Sequence, residues 1–178
     1  MNERDAAALI RAAVPMAPGA TWADLGAGTG VFTRALAAIL GPGCHVFAID
    51  ADERALASLR ASVPGAGGAA AVTVRRADVT ASLGLPPLDG VVMANVLHFI
   101  PDAAAELALA AAQLAPGGRL VLVEYEGRRP SRWVPYPVAF ADFQRLAPAA
   151  GLSPPRLVAT RPSAFGGELY VAAAERVR

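Results

Sequence analysis

Apolar positions along this chain switch repeatedly between unbroken runs and a helical spacing. Cys44-His45-Val46-Phe47-Ala48-Ile49-Asp50, Ala71-Val72-Thr73-Val74, Leu88-Asp89-Gly90-Val91-Val92-Met93-Ala94 and Leu120-Val121-Leu122-Val123 are near-continuous apolar stretches of strand length, as is the segment 20–25. Between them the apolar residues recur with helical spacing. In 29–40 they fall at 32, 35, 36, 39 and 40. Leu56, Leu59 and Val63 follow Asp52, which predicts a capped helix. Another helix is predicted from Asp102 to just before Pro116-Gly117-Gly118, and a short one over residues 3–14. Pro64-Gly65-Ala66-Gly67-Gly68 reads as a loop. Strands separated by helices need parallel crossovers, and strands this apolar belong in a sheet covered on both faces.

Beyond Glu126 the pattern changes. Gly127 to Pro137 holds Arg128, Arg129 and Arg132 with Pro130, Pro135 and Pro137 and reads as a loop, a helix is predicted near 139–150, and two last strands over 156–160 and 168–174. A loop holding Pro162 and Gly166-Gly167 joins those strands. The expected architecture is α/β, with one domain over residues 1–178.

Chemistry enters at Asp24-Leu25-Gly26-Ala27-Gly28-Thr29-Gly30, between the first strand and the first long helix. Glycines at alternate positions in such a turn let the backbone approach a ligand, and the helix start aims free N–H groups at the same place. The dinucleotide fingerprint Gly-x-Gly-x-x-Gly needs a glycine at 31, where this chain has Val31. Asp50 ends the second strand, Asp78 follows the third and Asn95 the fourth, so polar side chains gather at the carboxyl ends of adjacent strands. In open parallel sheets that edge binds ligands. A carboxylate at the tip of the second strand suits a ribose diol.

Composition narrows the function. The chain has 178 residues, a formal net charge of +1 and one cysteine, Cys44. A near-neutral chain has no general electrostatic attraction to nucleic acid. An internal disulfide is excluded. No apolar run reaches membrane-spanning length, and acids among the first five residues do not fit a secretory signal. The expectation is a soluble cytoplasmic protein. All 16 basic residues are arginine, so lysine Schiff-base chemistry and a Walker-type phosphate loop are excluded.

With these motifs the chain resembles the class I S-adenosylmethionine-dependent methyltransferases. The resemblance runs over roughly residues 20–126 and rests on Asp24-x-Gly26-x-Gly28-x-Gly30, Asp50, Arg76-Ala77-Asp78-Val79, Asp89 to His98, and Leu114-Ala115-Pro116-Gly117-Gly118. It implies a Rossmann-like three-layer sandwich with a seven-stranded, mostly parallel sheet and a C-terminal antiparallel hairpin. It also implies S-adenosyl-L-methionine as cofactor. Asp24 would meet the ammonium of its methionine part, and Gly26, Ala27, Gly28 and Gly30 would pass beneath it. Asp50, followed by Ala51, would hold the ribose. Asp78 would accept from the adenine amino group beside the Val79 backbone, and Asn95 would face the methionine or sulfonium end through its backbone or amide. A carboxylate-lined site suits that cation better than an anionic pyrophosphate.

Methyl transfer is an in-line displacement to which positioning contributes most, and a base is needed only where the acceptor loses a proton. His98, a few residues past the fourth strand, is the candidate base, because imidazole titrates near neutrality. Glu124, Tyr125 and Glu126 end the fifth strand on the same edge, and any of them could touch the acceptor. Trp133 and Tyr136 could wall it. His45 starts its strand at the opposite edge and is discounted. Cys44 reads as a buried small hydrophobe. Arg128, Arg129 and Arg132 could bind an acidic acceptor, although a solvated loop is the plainer expectation. No metal is expected.

The acceptor is not written in the sequence. The segment 127–140 could roof its pocket, a second copy of the chain could cover it in a homodimer, or the site could be open to something large. Asn95-Val96-Leu97-His98 lacks the Asn-Pro-Pro-Tyr signature of many amino-group methylases acting on nucleic acid or protein, which points to a small metabolite. A protein or nucleic-acid methyltransferase, or a cofactor-binding protein without catalysis, are the alternatives.

Overall fold

A computed structural model of the chain describes residues 1–63 and 68–177. Most of the loop expected at 64–68 therefore lies outside the described residues. Seven strands form one sheet in the order β3-β2-β1-β4-β5-β7-β6. They are β1 (Thr21–Leu25), β2 (His45–Asp50), β3 (Ala71–Arg76), β4 (Leu88–Ala94), β5 (Leu114–Glu126), β6 (Arg156–Pro162) and β7 (Glu168–Glu175). β1 to β5 run parallel, and β7 pairs antiparallel with both β5 and β6. This is the expected Rossmann-like sandwich with its C-terminal hairpin. No helix among the described residues is long and apolar enough to cross a membrane.

Alternation along the strands builds the two faces. Val92, Val121 and Val123 pack on one face with Trp22 and with Leu9, Ile10, Leu36 and Ile39 from α1 (Glu3–Ile10) and α2 (Val31–Leu40). Their neighbours Val91, Met93, Leu120 and Leu122 pack on the other, against Leu107 of α4 (Ala103–Gln113) and Phe143 of α5 (Phe140–Leu146). α3 (Glu53–Ser62) closes the first face beside β2 through Leu56 and Leu59, and the expected cap is present: Asp52 accepts from the Arg54 and Ala55 N–H groups. Gly90 in β4 makes room for the indole of Trp22, since a Cβ there would lie 2.4 Å from the ring.

Two connections differ from the simple alternation. β3 reaches β4 through residues 77–87 without a helix, held by an Arg75 hydrogen bond to the Leu83 carbonyl and by burial of Leu83. β5 begins earlier than its apolar run, at Leu114 opposite Leu88. The register then jumps to Arg119 opposite Gly90, leaving Ala115–Gly118 as a bulge. Proline and two glycines masked that strand start in the sequence.

One buried acid opposes this fold. Glu106 in the first turn of α4 is 1% exposed, and neither carboxylate oxygen has a partner among the described residues. Burial, reinforced by the charge of Asp78, pushes its carboxyl up to about 7. A carboxyl that holds its proton more tightly folded than unfolded loses stabilising power as pH rises from its ordinary value through 7. Glu106→Leu is therefore expected to gain about 2–3 kcal/mol on the wild type between pH 5 and pH 8. Urea unfolding at the two pH values measures this. An equal difference at both would mean that the carboxyl is solvated.

Candidate active site

The carboxyl ends of β3, β2, β1 and β4 lie side by side, where connections from β1 run to one side of the sheet and those from β4 to the other. Such a switch point leaves a crevice above the sheet. The β1–α2 turn fills it with backbone. The N–H groups of Gly26 and Ala27 donate to the Ile49 carbonyl, and that of Gly28 donates to Asp50 Oδ2 at 2.7 Å. The turn thus docks on the tip of β2. On its other side it touches the loop after β4, because a Cβ on Gly26 would lie 2.4 Å from the Val96 side chain. Gly28, at φ 52°, is different: a Cβ there would meet nothing within 4 Å. Gly26 is required by packing, whereas Gly28 borders open space.

Four polar side chains surround this turn. Asp24 is buried, and its Oδ2 accepts from the Thr33 hydroxyl at 2.6 Å. Its Oδ1 is buried with no partner among the described residues. Burial, eased by the Thr33 bond and strengthened by the charge of Asp50, pushes the Asp24 carboxyl up to about 6. Asp50 is half-buried and is held at both oxygens by backbone, Oδ2 by Gly28 and Oδ1 by the Asp52 N–H at 2.8 Å. Each oxygen keeps a lone pair for a further donor. Ala51 follows, exposed, its carbonyl accepting from Arg76. Asp78 is exposed, and the Thr80 N–H and hydroxyl both bond its Oδ1, holding its carboxyl below the usual range. Val79 beside it is half-buried.

Asn95 adopts φ 56° at the end of β4, alone among the described non-glycine residues in that region. Strain of this kind persists where the surroundings impose it, and it clusters at functional sites. Its Oδ1 is also buried without a partner among the described residues. Asp24 and Asn95, at the ends of the paired strands β1 and β4, thus each hold a buried acceptor without a partner among the described residues, a costly arrangement that a hydrogen-bond donor would relieve.

Next to the crevice lies a cavity of about 540 Å³, walled by His98, Phe99, Tyr125, Arg128, Trp133 and Phe165. Ser131 and Val134 complete its lining. His98 is 2% exposed and Glu124 0% exposed. The imidazole Nδ1 lies 2.7 Å from Glu124 Oε2, and the His98 N–H donates to Glu124 Oε1. A carboxylate only accepts, so Nδ1 carries the proton and Nε2 is left as the basic nitrogen.

The sequence expectations can be placed on this geometry. Tyr125 and Trp133 line the cavity, but Tyr136 is not among its lining residues and instead donates its backbone N–H to the His98 carbonyl. Glu124 is fully buried, bonds His98 and is not among the residues lining the cavity. Glu126 also lies outside that lining, its Oε2 accepting from the Phe140 N–H. Arg128 is not a solvated loop residue, since it lines the cavity and donates to the Phe165 and Gly166 carbonyls. Cys44 is buried, as expected, and His45, the first residue of β2, bonds Thr73. Sequence reasoning missed Thr33, Phe99 and Phe165. The first had a visible signal, a polar residue on the apolar face of α2. No group of three or more metal-binding side chains occurs among the described residues.

Comparison with known proteins decides the family. Residues 23–120 match the model of the methyltransferase domain family. The chain belongs to that family. It is an S-adenosylmethionine-dependent methyltransferase of class I, and S-adenosylmethionine is its cofactor. Solved structures share the fold. The arsenic(III) S-adenosylmethionine methyltransferase of Chlamydomonas reinhardtii is 21% identical at TM-score 0.74, with 93% of this chain and 66% of that one covered. The YcgJ protein of Bacillus subtilis is 11% identical at 0.78, covering 98% and 99%. Magnesium protoporphyrin IX methyltransferase from Synechocystis PCC 6803, solved with bound S-adenosylhomocysteine, is 20% identical at 0.74, covering 98% and 81%. The methyltransferase thus spans about two thirds of the algal enzyme's length. At these identities the likeness carries the fold. No curated protein matches the sequence.

Proposed function

We propose that this methyltransferase methylates a small molecule whose acceptor atom gives up a proton to His98. The observation that carries this reading is the His98–Glu124 pair at the wall of the 540 Å³ cavity, beside the cofactor crevice. A cavity of that size takes a compact organic molecule. When bound, S-adenosylmethionine supplies an electrophilic methyl group on sulfur.

The residues of the chain divide the remaining work. Asp24 would accept from the cofactor ammonium, the Gly26–Gly30 backbone would lie beneath the methionine part, and Asp50 would accept from the ribose hydroxyls. Asp78 would accept from the adenine amino group beside the Val79 backbone, and Asn95 would face the methionine or sulfonium end. Phe99 and Tyr125 exclude water from the acceptor. His98 Nε2 would take the proton that the acceptor atom gives up on methylation. Glu124 holds the ring in its tautomer and stabilises the imidazolium. Glu124 does no more than this, being enclosed by protein.

The test is release of S-adenosylhomocysteine from S-adenosylmethionine against a panel of small phenols, activated-methylene acids and amines, with proteins and RNA as controls. Turnover of a small acceptor is expected; turnover of the macromolecules alone would overturn the reading. A second expectation concerns pH. Only the charged Asp24 attracts the ammonium, and its carboxyl titrates at about 6. Binding thus releases a proton below that pH. S-adenosylmethionine affinity is expected to fall about tenfold from pH 7 to pH 5 and to level off above 7. Calorimetric titration across this range measures it, and a flat profile would remove Asp24 from contact with the ammonium.

A further inference from the structure

We propose that Arg128 is the specificity-determining residue of the acceptor cavity and that the acceptor is a small aromatic carboxylic acid. The inference rests on the methyl-transfer reading and adds the substrate class. Among the described residues, Arg128 is the one arginine lining a wall otherwise made mostly of aromatic and apolar side chains. No carboxylate among the described residues pairs with it, and unlike the other arginines without one it lines the cavity. Its partners are neutral: one terminal nitrogen donates to the Phe165 and Gly166 carbonyls, the latter at 2.7 Å, and Nε is buried with no partner. Two carbonyls anchor the group without neutralising it. The other terminal nitrogen is left for an anion, and a charge beside apolar surface gains most from such a partner.

The anchoring also fixes where the charge stands. By holding the β6–β7 loop, Arg128 places Phe165 over the cavity mouth and its own guanidinium above Tyr125, with Cζ 4.9 Å from the ring centroid. The imidazole of His98 lies 5.7 Å from the same ring. Base and cation thus both lie within 6 Å of the Tyr125 ring in the lining of one cavity. A substituted ring in that cavity would offer its hydroxyl to His98 and its carboxylate to Arg128. Phe99, Trp133 and Phe165 offer further aromatic faces for it, and Trp133 and Phe165 are 74% and 79% exposed. Aromatic surface left that open gains from a planar partner.

The experiment is calorimetric titration of the full chain, saturated with S-adenosylhomocysteine, with 4-hydroxybenzoate and with its neutral counterpart 4-hydroxybenzamide. Wild type is expected to bind the acid about 10- to 150-fold more tightly than the amide. Arg128→Gln is expected to lose that preference, and Arg128→Lys to keep part of it. The S-adenosylhomocysteine titration of each variant reports its fold and tests the underlying reading on its own. Failure of wild type to bind S-adenosylhomocysteine would remove the methyltransferase site altogether. If the nucleoside binds, then equal affinity for acid and amide, binding of neither, or an undiminished preference in Arg128→Gln each overturns the assignment of Arg128.

Discussion

Replacing His98 by asparagine is expected to slow methyl transfer by about 10²- to 10⁴-fold, the usual contribution of a positioned base, with S-adenosylhomocysteine affinity little changed. Asparagine is the informative choice. Alanine removes the base but strands the Glu124 carboxylate, which is fully enclosed and would lose its one side-chain partner. An uncompensated buried charge is costly enough to disturb the fold. The asparagine amide nitrogen can still donate to Glu124, so the variant loses the proton acceptor and keeps the contact. Rapid-quench measurement of the single-turnover rate with a turned-over acceptor, alongside calorimetry, separates the two. A fall in both quantities together would make His98 a structural residue. An unchanged rate would mean that the acceptor reacts without losing a proton and that positioning alone carries the reaction.

How far the sequence reaches depends on the range of the interactions. Strand and helix positions were legible because each is written in a window of a few residues: the continuous apolar runs of β2, β4 and β5, the spacing of Leu56 and Leu59, the Asp52 and Asp102 caps. The gathering of polar residues at one sheet edge was legible for a related reason. Asp24 and Asp50 lie in the last two residues of their strands, Asp78 and Asn95 just past theirs, and parallel topology brings strand ends together without further information. The acceptor side was only half legible. Arg128 meets the carbonyls of residues 37 and 38 positions away, in the loop from which Phe165 lines the cavity. Glu124 pairs with His98 across 26 positions. No periodicity encodes such contacts. A polar residue inside an apolar strand signals that it needs a buried partner, but does not say which. Glu106 carried the opposite trap. An acid in the first turn of a helix reads as favourable to the dipole, and only the packed structure shows that this side chain is buried while Ala104 and Ala105 beside it are exposed.

Asp50→Ala is expected to weaken S-adenosylmethionine binding by about 10- to 150-fold, the value of hydrogen bonds to a charged acceptor. The structure gives this prediction a second part. Asp50 also holds the Gly28 N–H at 2.7 Å, so its loss frees the turn on which the cofactor would rest. Asp50→Asn distinguishes the two roles: one amide oxygen can still accept from Gly28, while the negative charge and one acceptor for the ribose are gone. If the ribose contact dominates, the asparagine variant is nearly as weak as the alanine variant. If the turn dominates, it is close to wild type. Charge supplies an internal control. Asp50 is among the causes that raise the Asp24 carboxyl to about 6, so removing its charge must move that titration down. In both variants the loss of cofactor affinity on acidification should therefore begin at lower pH than in wild type, even as affinity at pH 7 falls. A folded variant with unchanged affinity would refute the ribose role, and an unmoved acid limb would show that the two carboxylates do not share one crevice.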